Sequence, residues 1–116
     1  MPCGVDVIKK APKTTVFAIR LAQARERAGL TQAKLGVVAG LDPSVASTRI
    51  NQYERGKHEP QIATAKRLAE ALNVPAAFLY TDDNLLASLL LRWVDLSDSE
   101  RRAVLAAAGA FAPPAD

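Results

Sequence analysis

Apolar residues recur along this chain at spacings of three and four, in blocks separated by glycine, proline and short polar breaks. Phe17, Leu21, Ala24 and Ala28 repeat at i, i+4, i+7 and i+11, which predicts an amphipathic helix capped by Thr14 or Thr15 and stopped by Gly29. Thr31 caps a second helix, QAKLGVVAG, that turns Leu35 and Ala39 inward and stops at Gly40. Asp42 followed by Pro43 is a start signal, because a carboxylate accepts from free amides and proline suits the first helical position. The third helix is therefore expected over about residues 43–55, with Gly56 as its stop. Pro60 opens a fourth, PQIATAKRLAEALNV, offering Ile62, Leu68, Ala69 and Leu72 to a core. Pro75 opens a short turn carrying Phe78, Leu79 and Tyr80, after which TDDN breaks the pattern. Residues 85–94 form another apolar helix, and Ser97 with Glu100 makes a capping box for a last helix through about Gly109. The seven prolines, six glycines and few aromatics leave these Ala/Leu-rich runs intact, so the expected fold class is all-α.

A chain of 116 residues fits one small domain with a single core. Cys3 is the lone cysteine and makes no internal disulfide, and His58 is the lone histidine, which excludes a multi-histidine metal cage. No metal and no cofactor are expected. The apolar run LLASLLL at residues 85–91 falls well short of the roughly 20 residues a membrane span needs. No signal-peptide pattern opens the chain, so the expectation is a soluble, cytoplasmic protein. Net charge is only +3, but residues 1–60 carry ten Lys/Arg against five Asp/Glu, whereas residues 61–116 carry five against seven. A basic front half suggests a polyanionic partner, nucleic acid before membrane.

At about 100° per residue, with Ile50 at 0°, Ala46 and Tyr53 lie at roughly −40° and −60° and Glu54 at +40°. The opposite side carries Ser44, Val45, Thr48, Gln52 and Arg55, flanked by Arg49 and Asn51. A major-groove reader needs such a face: arginine pairs with a guanine edge, glutamine or asparagine with an adenine edge, and a methyl group touches thymine. An ordinary solvated helix face has the same composition. In the first helix, with Leu21 at 0°, Arg25 sits at about +40°, the position Glu54 occupies in the third. If the two helices pack, guanidinium and carboxylate can form a partly buried bidentate pair.

The segments RERAGLTQAKLG, RINQYERGKHEP and AKRLAEALNVPAAFLY together resemble the lambda-repressor-like helix-turn-helix of the Cro/C1 or XRE type, over about residues 16–80. That resemblance implies a five-helix domain with a structural pair between Arg25 and Glu54. It implies that Thr31 and Gln32, at the start of helix two, touch a DNA phosphate. Ser47, Thr48, Arg49 and Gln52 match the base-contacting positions, and Arg55, Lys57 and His58 fall where the family's loop approaches the DNA backbone. Two departures stand out. Between Gly40 and Glu54 the chain holds about four more residues than the family pattern, so the reading helix either begins a turn early or follows a longer loop. Gly36 stands where the family usually has alanine, which costs helix two up to about 1 kcal/mol and permits closer packing.

The resulting organisation is a flexible basic arm over residues 1–13, a helix-turn-helix domain over 14–81, a C-terminal helical extension over 82–112 and a tail over 113–116. Lys9, Lys10 and Lys13 either follow the DNA backbone or simply solubilise the arm. The apolar positions of the extension, among them Leu85, Leu89, Trp93 and Leu105, either fold back on the domain or pair with a second subunit. Pairing is the preferred reading, and it sets two reading helices about 34 Å apart, one turn of a palindromic operator. The expected function is a sequence-specific double-stranded DNA-binding regulator of transcription, a homodimeric repressor. The alternative is an antitoxin-like interaction module that binds a partner protein through the same C-terminal helices. One histidine, one cysteine and no phosphate-cradling glycine loop leave no catalytic equipment to assign.

Overall fold

The computed structural model describes residues 15–111. These form α1 (Val16–Ala28), α2 (Gln32–Val38), α3 (Ala46–Glu54), α4 (Ile62–Leu72), a 3₁₀ turn (Ala76–Tyr80), α5 (Asn84–Trp93) and α6 (Asp98–Phe111). No strand occurs among the described residues. The fold is all-α, five helical elements followed by two C-terminal helices, as the sequence pattern predicts. The basic arm over 1–13, Thr14, residue 112 and the tail over 113–116 lie outside the described residues.

Short polar side chains start α1, α2, α5 and α6, and left-handed residues follow the ends of α1 to α4. The Thr15 hydroxyl accepts from the Ala18 N–H at 3.0 Å and the Thr31 hydroxyl from the Lys34 N–H at 3.0 Å, each satisfying an amide that the first turn leaves free. Beyond α3, Gly56 takes φ 73°, which lets its N–H reach the Tyr53 carbonyl and the Lys57 N–H reach that of Gln52. Asn73, at φ 57°, does the same for α4. The capping box at α6 forms as expected: the Ser97 N–H donates to Glu100 at 2.8 Å, and the Glu100 N–H donates to the Ser97 hydroxyl at 3.1 Å.

Leu21, Leu35, Ile50, Leu68 and Leu79 are fully buried, one each from α1, α2, α3, α4 and the 3₁₀ turn. Each such side chain contributes about 1.5 to 3 kcal/mol of transfer free energy, so this shared centre fixes how the helices meet. Two residues that fit the period stay out of it: Ala28 and Ile62 are exposed, because both occupy terminal turns that overhang the core.

The third helix begins at Ala46, three residues later than the Asp42–Pro43 signal suggests. The Asp42 carboxylate accepts from both the Ser44 N–H and the Ser44 hydroxyl at 2.8 Å, and the Val45 N–H closes on the Asp42 carbonyl at 3.0 Å. The start signal thus builds a tight turn over residues 42–45, and α3 follows a longer loop. That loop ends where Ala46 meets Gly36. A Cβ placed on Gly36 would stand 2.6 Å from the Ala46 Cβ and 3.0 Å from its Cα and carbonyl oxygen, so the missing side chain lets α2 and α3 touch backbone to backbone.

α5 folds back on the domain through the buried Ala87, with Leu90 and Leu91 against the core margin. Arg20, buried in α1, holds the start of this helix. Its Nε donates to the Thr81 carbonyl at 2.8 Å, one Nη to Asn84 at 3.1 Å and the other to Gln23 at 3.0 Å, with its guanidinium 5.5 Å from the Phe78 ring centre. α6 buries no residue, and it runs to Phe111 with Gly109 inside it. The half-buried Trp93 is covered by Arg101, whose guanidinium lies 5.3 Å from the indole and donates to the Trp93 carbonyl at 3.0 Å.

Candidate nucleic-acid interface

Ala46, Ile50 and Tyr53 bury one side of α3, which directs the other side outward. Three contacts fix its rotation from behind. Ala46 abuts Gly36, Ile50 enters the core, and Glu54 at the C-terminal end meets Arg25 of α1. The last is the bidentate pair the two helical wheels anticipate: Arg25 Nε donates to one Glu54 oxygen at 2.5 Å and Nη2 to the other at 3.0 Å. The remaining Arg25 Nη donates to the Leu30 carbonyl at 2.9 Å, tying the pair to the turn between α1 and α2. Only 16% of the Arg25 side chain and 8% of the Glu54 side chain remain exposed, so water screens the pair weakly. The hydrogen bonds it donates to Glu54 hold the Arg25 guanidinium above arginine's ordinary value, although burial pulls it the other way.

The outward side gathers most of the predicted site residues. Ser47, Thr48 and Arg49 are exposed on the first turns of α3, and Gln52 is half-buried on its last. Arg55, Lys57 and His58 follow in the exposed turn after the helix. Arg49, Gln52 and His58 line one open groove of about 470 Å³, which continues onto Gln61 and Thr64 at the start of α4 and includes Glu59. Sequence reading misses Gln61 and Thr64, because it starts α4 at Pro60 and so places both on an undirected first turn. Gln61 is in fact the residue before the helix. With Glu54 neutralised by Arg25, the side chains of Arg49, Arg55 and Lys57 leave this face predominantly positive around that one acid.

Thr31 and Gln32 stand at the start of α2, beside α3. The Thr31 hydroxyl is occupied by the Lys34 amide. The Gln32 side chain turns inward, where its amide nitrogen donates to Glu54 at 3.0 Å and to Asn51 at 3.3 Å. Arg67 of α4 steadies the other end of α2, its Nε donating to the Ala39 carbonyl at 3.1 Å. Periodicity does not reveal Arg67 or Arg20, since both lie at the edges of apolar faces where an arginine ordinarily meets water.

Two short helices, the second held rigid with its polar face open, define a helix-turn-helix protein. The helix-turn-helix model of the Cro/C1 type matches residues 21–79, and the chain belongs to that family. The structure is also similar to the crystal structure of the transcriptional regulator BswR, with 41% sequence identity, a TM-score of 0.70, and coverage of 76% of this chain and 87% of that one. No curated protein matches the sequence. Among the described residues, no helix is long and apolar enough to cross a membrane.

Proposed function

We propose that this protein is a cytoplasmic, sequence-specific regulator of transcription that binds double-stranded DNA with α3 in the major groove. The observation that carries this reading is the contrast between the two sides of α3. Behind, Arg25, Gly36 and the core fix its position and rotation; in front, Thr48 and Arg49 stand exposed with the half-buried Gln52 beside them. A helix held this way presents donors at fixed positions, so little ordering remains to be done on binding. Ser47, Thr48, Arg49 and Gln52 contact base edges, each good bidentate pair discriminating by about 1 to 3 kcal/mol. Thr31 at the start of α2, with Arg55, Lys57 and His58 after α3, approaches phosphates and sets the register, whereas the Gln32 amide nitrogen is committed to Glu54 and Asn51. The reading assigns binding and no catalysis.

The protein acts as a homodimeric repressor on a palindromic operator. Support for the dimer comes from the C-terminal helices, where Leu85 is 85% exposed, Leu105 71% and Phe111 87%. Apolar side chains this open are suited to a second subunit. The same exposure motivates a second reading, an antitoxin-like module whose partner protein takes that face.

Selection of bound sites from a random duplex pool tests the proposal. The expected result is enrichment of one sequence arranged as two inverted half-sites about 10 base pairs apart. Retention of DNA without enrichment would leave only an electrostatic binder, and no retention would remove the reading altogether.

A further inference from the structure

We propose that Gln32 is a positioning residue that sets Asn51 as a hydrogen-bond donor to a guanine edge, adding Asn51 to the residues that determine the operator. The inference rests on the DNA-reading proposal above. Its starting point is a chain of hydrogen bonds whose polarity is forced at every link. A carboxylate only accepts, so Glu54, already taking two donors from Arg25, fixes which end of the Gln32 amide faces it. That end is the nitrogen, at 3.0 Å from Glu54. The second hydrogen on the same nitrogen points at Asn51, 3.3 Å away, and only the Asn51 carbonyl oxygen can receive it. The Asn51 amide nitrogen is thereby turned away from α2, and it has no hydrogen-bond partner among the described residues.

Asn51 is half-buried at about 100° from Ile50 around α3, beside Thr48 at about 160° and Gln52 at about 200°, so it flanks the uncovered face. An unconstrained asparagine flips to present acceptor and donor together, the pattern complementary to adenine. With its oxygen turned toward Gln32, Asn51 directs its two N–H groups away from α2, and the base edge that offers two acceptors is guanine, through N7 and O6. Arg25 therefore acts beyond stability: its charge orients Glu54, Glu54 orients Gln32, and Gln32 decides the hydrogen-bonding character of a side chain on the reading face.

The test uses the full chain and the site it selects, with guanines replaced one at a time by 7-deazaguanine, which lacks the N7 acceptor. The native protein is expected to lose affinity about 5-fold or more at one guanine. Asn51→Ala and Gln32→Leu are each expected to bind the two versions of that position equally, while still distinguishing the positions read by Arg49 and Gln52. If Gln32→Leu does not fold, Gln32→Asn withdraws the amide by one methylene and carries the same expectation. Full sensitivity in Asn51→Ala would overturn the proposal. So would a Gln32 variant that loses affinity equally on all duplexes with a shallower salt dependence, the signature of a phosphate contact. Failure of the native chain to select any site would instead remove the DNA-reading proposal, and this one with it.

Discussion

Gly36 and Ala46 touch so closely that a single methyl group on Gly36 would fall 2.6 Å from the Ala46 Cβ and 3.0 Å from two of its backbone atoms. Gly36→Ala therefore sets two effects against each other. Alanine favours helix by about 1 kcal/mol, whereas overpacking costs about 1 to 3 kcal/mol. The clash wins here because backbone atoms of α3 cannot rotate aside, and relief requires moving the helix. The variant is expected to melt at a lower temperature and to bind its site less tightly, both read from calorimetry and titration of one preparation.

Glu54→Ala strands the Arg25 guanidinium and releases Gln32, so it removes three hydrogen bonds at once. The expected destabilisation is about 3 kcal/mol, or roughly 10 °C in Tm. Urea unfolding checks the value, and a melting curve unchanged from native would show that the pair contributes nothing.

The turn before α3 carries its own pH dependence. The Ser44 N–H, and after it the Ser44 hydroxyl, hold the Asp42 carboxyl below its ordinary value. A carboxyl depressed by folding stabilises the turn above the ordinary carboxylate range, near pH 4. That contribution fades as pH falls through the lowered value. A carbon-detected NMR titration is expected to place the Asp42 midpoint below that of a model peptide, and Ser44→Ala, which keeps the backbone donor, is expected to raise it only part of the way.

How much of this was legible in the sequence depends on whether an effect is local. Thr15, Thr31, Gly29 and Gly56 act on their own helix ends, and they mark boundaries the structure keeps. Arg25 and Glu54 were visible as partners because each sits at the same angle on an apolar face. The start of α3 misleads because an Asp–Pro pair offers the same acceptor to a turn as to a helix, and Ser44 takes it. Arg20 was hidden for a different reason: its partners Thr81 and Asn84 lie 61 and 64 residues away, and only the packed fold brings them to it. The inward turn of Gln32 was equally hidden, since its spacing fits a phosphate contact and its neighbours Glu54 and Asn51 come from another helix.

Dimerisation through the C-terminal helices predicts a concentration-dependent species that a charge at the apolar face removes. Leu85→Glu combined with Leu105→Glu is expected to yield monomers in sedimentation equilibrium with unchanged helix content, because both side chains are already exposed. A persistent dimer would move the interface elsewhere.

If α3 reads bases, Arg49→Ala and Gln52→Ala must weaken binding to the selected site more than binding to random duplex. Each substitution is predicted to cost about 1 to 3 kcal/mol on the selected site and much less on random DNA, narrowing the gap between the two. Equal losses on both duplexes would contradict the account, because Arg49 and Gln52 would then be holding the backbone and some other surface would carry the sequence.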